Sequence, residues 1–280
     1  MMRSATQFRA AGYSINIVGL IGFLLVFSWA LVAILAPWII PYPIGEIVDF
    51  DYFGPISDKF WLGTDYLGRD ILSRILMGAR YTVGISLIAV MISCTLGVAL
   101  GMTAAVVGGW FDTILSRFLD ALNSIPSKLF GLVVVAGIGS SIPVLIMTLA
   151  IIYTPGAYRF ARALSVNINT MDFVTVARAR GEGTFFLIRS EILPNILGPV
   201  LADLGLRFVF IVLLLSGLSF LGLGVQPPNA DWGALVRENI GGLPFGAPAV
   251  IFPSIAIASL TIGVNLLIDN LPQKIRDRST

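Results

Sequence analysis

Few side chains in this 280-residue sequence can act as acids, bases, nucleophiles or metal ligands. There is no histidine, which excludes Ser-His-Asp triads, histidine general bases and histidine-ligated zinc. The one cysteine, Cys94, has no disulfide partner within the chain and is expected to pack in an apolar core. No lysine follows a glycine, so the phosphate-binding loop GxxxxGK is absent. We therefore expect no catalytic, cofactor-binding or metal-binding residue.

Charged residues in apolar surroundings are the remaining candidates for chemistry. Asp203 and Arg207 are four positions apart, a spacing at which two side chains meet on one face of a helix. They are expected to neutralise each other, with a role in lining a solute pathway as the alternative. Arg117 and Asp120 are three apart and are interpreted in the same way.

Lys128 differs from these pairs because no acidic residue lies within four positions of it. It stands about fifteen residues, or roughly 22 Å, into a predicted helix that begins at residue 114. Such a charge either pairs with an acid on another helix or chain, or faces an aqueous pathway. The sequence leaves both alternatives open.

The overall composition indicates the surroundings in which these residues lie. Hydrophobic residues make up 56% of the chain and charged residues 12%, against about 25% charged residues in a soluble domain. The mean hydropathy is +0.90, and the apolar tracts reach the roughly 20 residues that span a bilayer. The net charge of +2 is small and dispersed, which argues against a nucleic-acid partner. The sequence predicts a multi-pass protein surrounded by membrane lipid.

The apolar tracts predict an all-α fold with six transmembrane helices. Five uncharged tracts are visible, but the third belongs to a longer apolar region that turn formers at residues 137–143 divide in two. The first tract is longer than the apolar part of a signal peptide and is interpreted as an uncleaved anchor. The predicted spans are residues 17–40, 81–107, 114–137, 143–163, 198–222 and 249–270.

Basic residues orient these helices, because short cytoplasmic loops and tails are enriched in lysine and arginine. Both ends of the chain are basic. With six spans, eleven basic residues fall on the inner side and five on the outer side. The sequence therefore predicts that both termini are cytoplasmic.

The outer segment, residues 41–80, is too long to serve only as a connector. It ends in a glycine turn that we predict to be followed by a short amphipathic helix, capped by Asp65 or Asp70. Contact with an extracytoplasmic partner is the alternative. We divide the chain here into residues 1–80, an anchor helix with an extracytoplasmic segment, and residues 81–280, a five-helix core.

The inner segment, residues 164–195, is also unusually long for a cytoplasmic connection. Its composition predicts two short helices outside the bilayer, separated by Gly181 and stopped by Pro194. Phe185 and Phe186 begin an apolar run that a purely solvated helix would not need. Physical reasoning leaves a docking surface and a solvated loop as equal alternatives.

Four motifs in the chain resemble those of one protein family. They are Ala177-Arg178-Ala179-Arg180-Gly181, Ile192-Leu193-Pro194-Asn195, Leu62-Gly63-Thr64-Asp65 with Leu67-Gly68-Arg69-Asp70, and Leu218-Ser219-Phe220-Leu221-Gly222-Leu223-Gly224-Val225-Gln226-Pro227-Pro228 with Trp232-Gly233. Together these motifs resemble those of permeases of binding-protein-dependent ABC transporters, in the dipeptide and oligopeptide (peptide/opine/nickel) branch. The resemblance extends from about residue 60 to residue 272.

The resemblance implies that the inner segment is the EAA loop, which couples such permeases to their ATPase subunits. The loop residues that it implicates are Ala177, Gly181, Phe185, Phe186, Leu193 and Pro194. The sequence departs from the motif at Thr175 and Val176, which replace its glutamate and first alanine.

The resemblance also implies the partners and the role of the chain. The chain would be half of a pathway for peptides or peptide-like solutes in a bacterial inner membrane. Its partners would be a second permease, two ATP-binding subunits that hold ATP and magnesium, and an extracytoplasmic solute-binding protein. The chain itself would be no enzyme.

Two other functions can be weighed against this one. A self-sufficient secondary transporter or channel would need intramembrane ion-coupling groups and often has inverted repeats, but the sequence offers one isolated lysine and no repeat. An intramembrane enzyme would need a paired nucleophile and base. Of these two functions, the secondary transporter or channel is the main alternative to an ABC permease.

Overall fold

The structure, a computed structural model, describes residues 8–10, 13–15 and 17–270 and is helical almost throughout. Two short strands, β1 (Phe8–Ala10) and β2 (Tyr13–Ile15), pair antiparallel. The helices are α1 (Ile17–Ile39), α2 (Ile71–Val107), α3 (Gly109–Ser124), α4 (Ser127–Ile138), α5 (Ile142–Asn169), α6 (Asp172–Ala179), α7 (Thr184–Phe186), a π-helix (Leu187–Ile192), α8 (Leu193–Phe220), α9 (Trp232–Asn239), a 3-10 helix (Ile240–Phe245) and α10 (Pro248–Asp269). The predicted all-α fold class is confirmed.

Five helical segments are long and apolar enough to cross a membrane, namely α1, α2, α5, the continuous stretch Thr184–Phe220 and α10. Helices α3 and α4 meet this standard only as a pair, and their axes are bent by 83°. The described residues therefore contain five candidate spans, or six if the bent pair is one span.

The predicted third span, residues 114–137, is wrong as a continuous helix. Helix α3 ends at Ser124 and α4 begins at Ser127, on either side of Pro126. Proline lacks an N–H group and its ring disfavours the helical region for the preceding residue. Ile125 accordingly has an extended backbone, with φ −80° and ψ 125°.

Lys128 consequently does not lie deep in a helix. It is exposed in the first turn of α4, two residues after Pro126, so the predicted depth of roughly 22 Å is wrong. Within the part of the chain that the structure describes, Lys128 forms no ion pair.

Helix α2 begins at Ile71, ten residues before its predicted start at residue 81. The carboxylate Oδ2 of Asp70 accepts the backbone N–H of Ser73 at 2.7 Å, which is the hydrogen bond of an N-cap. Capping by Asp70 is confirmed. The separate amphipathic helix predicted here is wrong, because these residues form the first turns of α2.

The inner segment is shorter than predicted because the flanking helices extend into it. Helix α5 continues to Asn169 rather than ending at residue 163. Pro194 does not stop a helix, since the helical stretch from Thr184 continues through it to Phe220. The π-helix ends at Ile192, two residues before Pro194, and its wider turn accommodates a residue that cannot donate to the fourth carbonyl before it.

Residue contacts divide the chain into two compact units. The first comprises the described residues within Met1–Ser86, Gly139–Leu145 and Val212–Leu271, and the second those within Leu87–Ile138 and Ile146–Ile211. In the first unit α1 packs against α10, where a Cβ on Gly22 would lie 2.8 Å from the carbonyl oxygen of Gly263. In the second, a Cβ on Gly97 would lie 2.8 Å from the backbone nitrogen of Tyr158. Glycine therefore permits close helix packing in both units.

Candidate functional site

Helix α6 in the inner segment has one buried face and one exposed face. Val174 and Ala177, three positions apart, have no exposed surface and belong to an apolar cluster with Leu187 and Ile192. Phe173 and Val176, also three apart, are 40% and 55% exposed. Because residues three apart share a helix face, α6 is fixed to its own chain on one side and presents apolar side chains on the other.

Gly181 ends α6 in a left-handed conformation, with φ +87°. Its N–H donates to the carbonyl of Arg178 at 2.9 Å, and the N–H of Glu182 donates to the carbonyl of Ala177 at 3.2 Å. These two bonds form a Schellman motif. Among the described residues, no atom beyond its two chain neighbours lies within 4 Å of the place where a Cβ on Gly181 would stand. Glycine is therefore required by the backbone conformation rather than by a close contact.

The remaining residues predicted for this loop fall into two groups. Phe185 is 74% exposed and Phe186 is 37% exposed, while Pro194 is exposed at the start of α8. Leu193 is partly buried against the same apolar cluster as Ala177. The loop thus has a structural core containing Ala177 and Leu193, and a set of exposed apolar side chains, those of Phe173, Val176, Phe185 and Phe186. We call the latter the inner apolar surface.

A buried ion-pair network in the first unit was not anticipated from the sequence. Asp65, with a side chain 1% exposed, lies 2.7 Å from Arg69 and 2.6 Å from Arg74. Glu238 contacts the same two arginines at 2.9 Å and 2.8 Å. Asp65 also accepts the backbone N–H groups of Leu67 and Arg69. This outer network joins the segment before α2 to α9.

Asp231 and Trp232 fix the start of α9 beside that network. The carboxylate of Asp231 accepts the hydroxyl of Ser219 at 2.7 Å and caps α9 through the backbone N–H of Gly233. Burial raises the pKa of the Asp231 carboxyl, and these hydrogen bonds oppose the rise. The indole of Trp232 donates to the carbonyl of Ile75 at 3.0 Å, which anchors α9 on α2.

Of the two predicted charge pairs, one is confirmed. Arg207 donates to both carboxylate oxygens of Asp203, and both side chains are largely buried. The predicted pairing of Arg117 with Asp120 is wrong. Asp120 instead lies 4.0 Å from Arg159 on α5, since α3 and α5 bring their charged faces together.

Residues 97–277 match the family model described as "Binding-protein-dependent transport system inner membrane component". The chain is 34% identical to the dipeptide transport system permease protein DppC of Haemophilus influenzae, over 90% of this chain and 88% of that protein. It is also 34% identical to the glutathione transport system permease protein GsiD of Pectobacterium atrosepticum, over 86% of this chain and 80% of that protein.

A solved structure shares the fold. It is described as the "Crystal structure of an amino acid ABC transporter with histidines". The TM-score is 0.50 at 18% sequence identity, with 72% of this chain and 94% of that chain covered. The chain therefore belongs to the family of inner membrane components of binding-protein-dependent transport systems and is the multi-pass permease subunit of an ABC importer.

Proposed function

We propose that the chain forms half of a translocation pathway for peptides or peptide-like solutes. The support for this substrate class is the naming of its relatives, which are dipeptide and glutathione permeases at 34% identity. A second homologous permease forms the other half, and an extracytoplasmic binding protein delivers the solute. Two ATP-binding subunits bind ATP and magnesium and shift access of the pathway from outside to inside.

The inner segment couples the chain to these ATPase subunits. The observation that carries this proposal is the inner apolar surface, because it is exposed on a loop whose opposite face is fixed to α2, α5 and α8 through buried residues. A rigid loop transmits a rigid-body motion of a bound partner to the helices that follow it. Ala177 and Leu193 maintain its shape, Gly181 forms its bend, and Phe185 and Phe186 contact the partner. Pro194 lies in the first turn of α8, within the span that receives the motion.

Replacing the most exposed aromatic residue of this surface tests the coupling. Phe185→Ser is expected to weaken ATPase binding by about 2 kcal/mol, or roughly thirtyfold, because buried aromatic anchors dominate interface energies. The measurement is capture of the ATPase subunits by the purified permease pair, with titration of the ATPase. Phe50→Ser is the matched control, since Phe50 is 96% exposed in the outer segment. Equal capture by both variants would contradict the assignment.

The bent pair α3–α4 is proposed to count as one of six spans, with both termini cytoplasmic. This topology places the inner segment beside the ATPases and the outer network beside the binding protein. It retains the division into an anchor with its outer segment, residues 1–80, and a five-helix core, residues 81–280, although α2 begins at Ile71 and crosses this boundary. Support comes from the excess of basic residues on the proposed inner side.

Thiol labelling of intact cells checks this topology. Ser57 and Thr184 are both exposed, in the outer and inner segments respectively. Ser57→Cys is expected to react with an impermeant maleimide, whereas Thr184→Cys is expected to react only after the membrane is permeabilised. The background is low because the native thiol, Cys94, is 5% exposed. Labelling of the Thr184→Cys variant in intact cells would exclude six spans with inner termini.

Lys128, Asp203 and Arg207 are proposed to contribute charge to the pathway. Lys128 follows the 83° bend directly and is exposed, so its ammonium group is available to a solute carboxylate. Asp203 and Arg207 neutralise each other within α8 and offer a polar pair rather than a free charge.

A further inference from the structure

A cavity of about 530 Å³ lies between α3 and α5 in the second unit, apart from the inner apolar surface. Every side chain that lines it ends in a charged group or a hydroxyl. On α3 these residues occupy positions 112, 113, 116, 117 and 120, and on α5 positions 158, 159 and 162. Both sets follow the spacing of one helix face. Two polar stripes thus face each other in a chain that is only 12% charged.

Part of this lining is held in place by its own contacts. Arg162 donates through Nε and Nη2 to the two carboxylate oxygens of Asp112. The hydroxyl of Tyr158, a residue 1% exposed, lies 2.7 Å from the hydroxyl of Ser116 and 3.3 Å from Asp112. This cluster forms a rigid wall whose hydrogen-bonding capacity is mostly used.

The other side of the lining retains unused donors. Arg159 and Asp120 are each half exposed and approach no closer than 4.0 Å. Arg117 is exposed and forms no ion pair or hydrogen bond within the described residues. Three arginines and two aspartates give the lining a formal charge of +1. A ligand with a single negative charge would neutralise it.

We propose that this cavity binds a phosphate-containing monoanion, with Arg117 and Arg159 as the principal donors. A phosphodiester carries one negative charge and several acceptor oxygens, which matches the charge of the lining and the guanidinium groups of Arg117 and Arg159, whose side chains form no hydrogen bond within the described residues. The ligand is either the headgroup of an anionic phospholipid or soluble phosphate. Basic pockets between transmembrane helices are typical binding sites for anionic headgroups.

Native mass spectrometry of the purified transporter with its partner subunits tests this proposal. The probes are phosphatidylglycerol, phosphatidylcholine with the same acyl chains, and inorganic phosphate. Binding of phosphatidylglycerol or inorganic phosphate in preference to phosphatidylcholine is expected. Displacement of phosphatidylglycerol by inorganic phosphate would show that soluble phosphate is sufficient to occupy the site. Binding of phosphatidylglycerol without binding of inorganic phosphate would assign the site to lipid. Equal binding of both lipids, or binding of no probe, would overturn the proposal.

Arg117→Gln is the decisive variant because the Arg117 side chain has no partner among the described residues, so its replacement is expected to leave the fold intact. The affinity for the anion is expected to fall about tenfold, through loss of one charge-assisted hydrogen bond. Arg117→Lys is expected to retain part of the affinity, since it keeps the charge but not the planar fork. Arg80→Gln is the matched control, because Arg80 is exposed on α2 outside the cavity. Equal affinities of Arg117→Gln and Arg80→Gln would overturn the assignment.

Discussion

Gly181→Leu is expected to reduce solute uptake at least about tenfold while the transmembrane helices remain inserted. Gly181 has φ +87°, and a left-handed conformation destabilises a non-glycine residue by about 1–2 kcal/mol. The loop relieves this strain by breaking the Schellman hydrogen bonds between α6 and residues 181 and 182. The inner apolar surface then loses the geometry that an ATPase cleft would bind. Uptake in cells and capture of the ATPase subunits from detergent measure the effect.

Two matched variants separate this conformational effect from a general intolerance of the loop. Gly183→Leu introduces the same side chain two residues away, where φ is −78° and no atom of the described residues beyond the two chain neighbours lies within 4 Å of the added Cβ. It is expected to retain most of the uptake. Thr175→Glu restores the acid of the family motif at an exposed position and is expected to change solute uptake only slightly. Full uptake by Gly181→Leu would be incompatible with this loop as the coupling element.

Asp65→Ala is expected to destabilise the permease by about 3–5 kcal/mol, because it leaves two buried guanidinium groups with a single carboxylate. The side chains of Arg69 and Arg74 are 6% and 3% exposed, so bulk solvent does not compensate their charges. Glu238 alone must then compensate both charges. The melting temperature of the purified permease in detergent is expected to fall, together with the yield of assembled transporter.

Asp58→Ala is the control for this experiment, since Asp58 is an exposed aspartate in the same outer segment. Its melting temperature is expected to stay near that of the unmodified protein, because exposed charges contribute little to stability. Asp65→Asn keeps an acceptor for the backbone N–H groups of Leu67 and Arg69 but loses the charge. Its melting temperature is expected to lie between those of Asp65→Ala and Asp58→Ala. Similar melting temperatures for Asp65→Ala and Asp58→Ala would show that the outer network contributes little to the stability of the permease.

Local sequence determined the features that depend on composition or on short spacing. The apolar tracts predict the membrane spans because about 20 apolar residues cross the bilayer whatever their partners are. The four-residue spacing of Asp203 and Arg207 predicts their ion pair, since such side chains meet on any helix. The bend at Gly181 is also a local feature, because a left-handed backbone conformation favours glycine whatever its surroundings.

Other features depend on residues that are far apart in the chain and follow from no local pattern. Glu238 reaches Arg74 across 164 positions, and no local rule connects residues so far apart. Ala177 belongs to the loop motif, but its burial depends on which face of α6 meets the apolar cluster around Ile192. The break at Pro126 was detectable in the sequence, whereas its angle of 83° depends on how α3 and α4 pack. Hydrophobicity and short spacing act along the chain, while ion pairing and burial at long range require folding to bring the groups together.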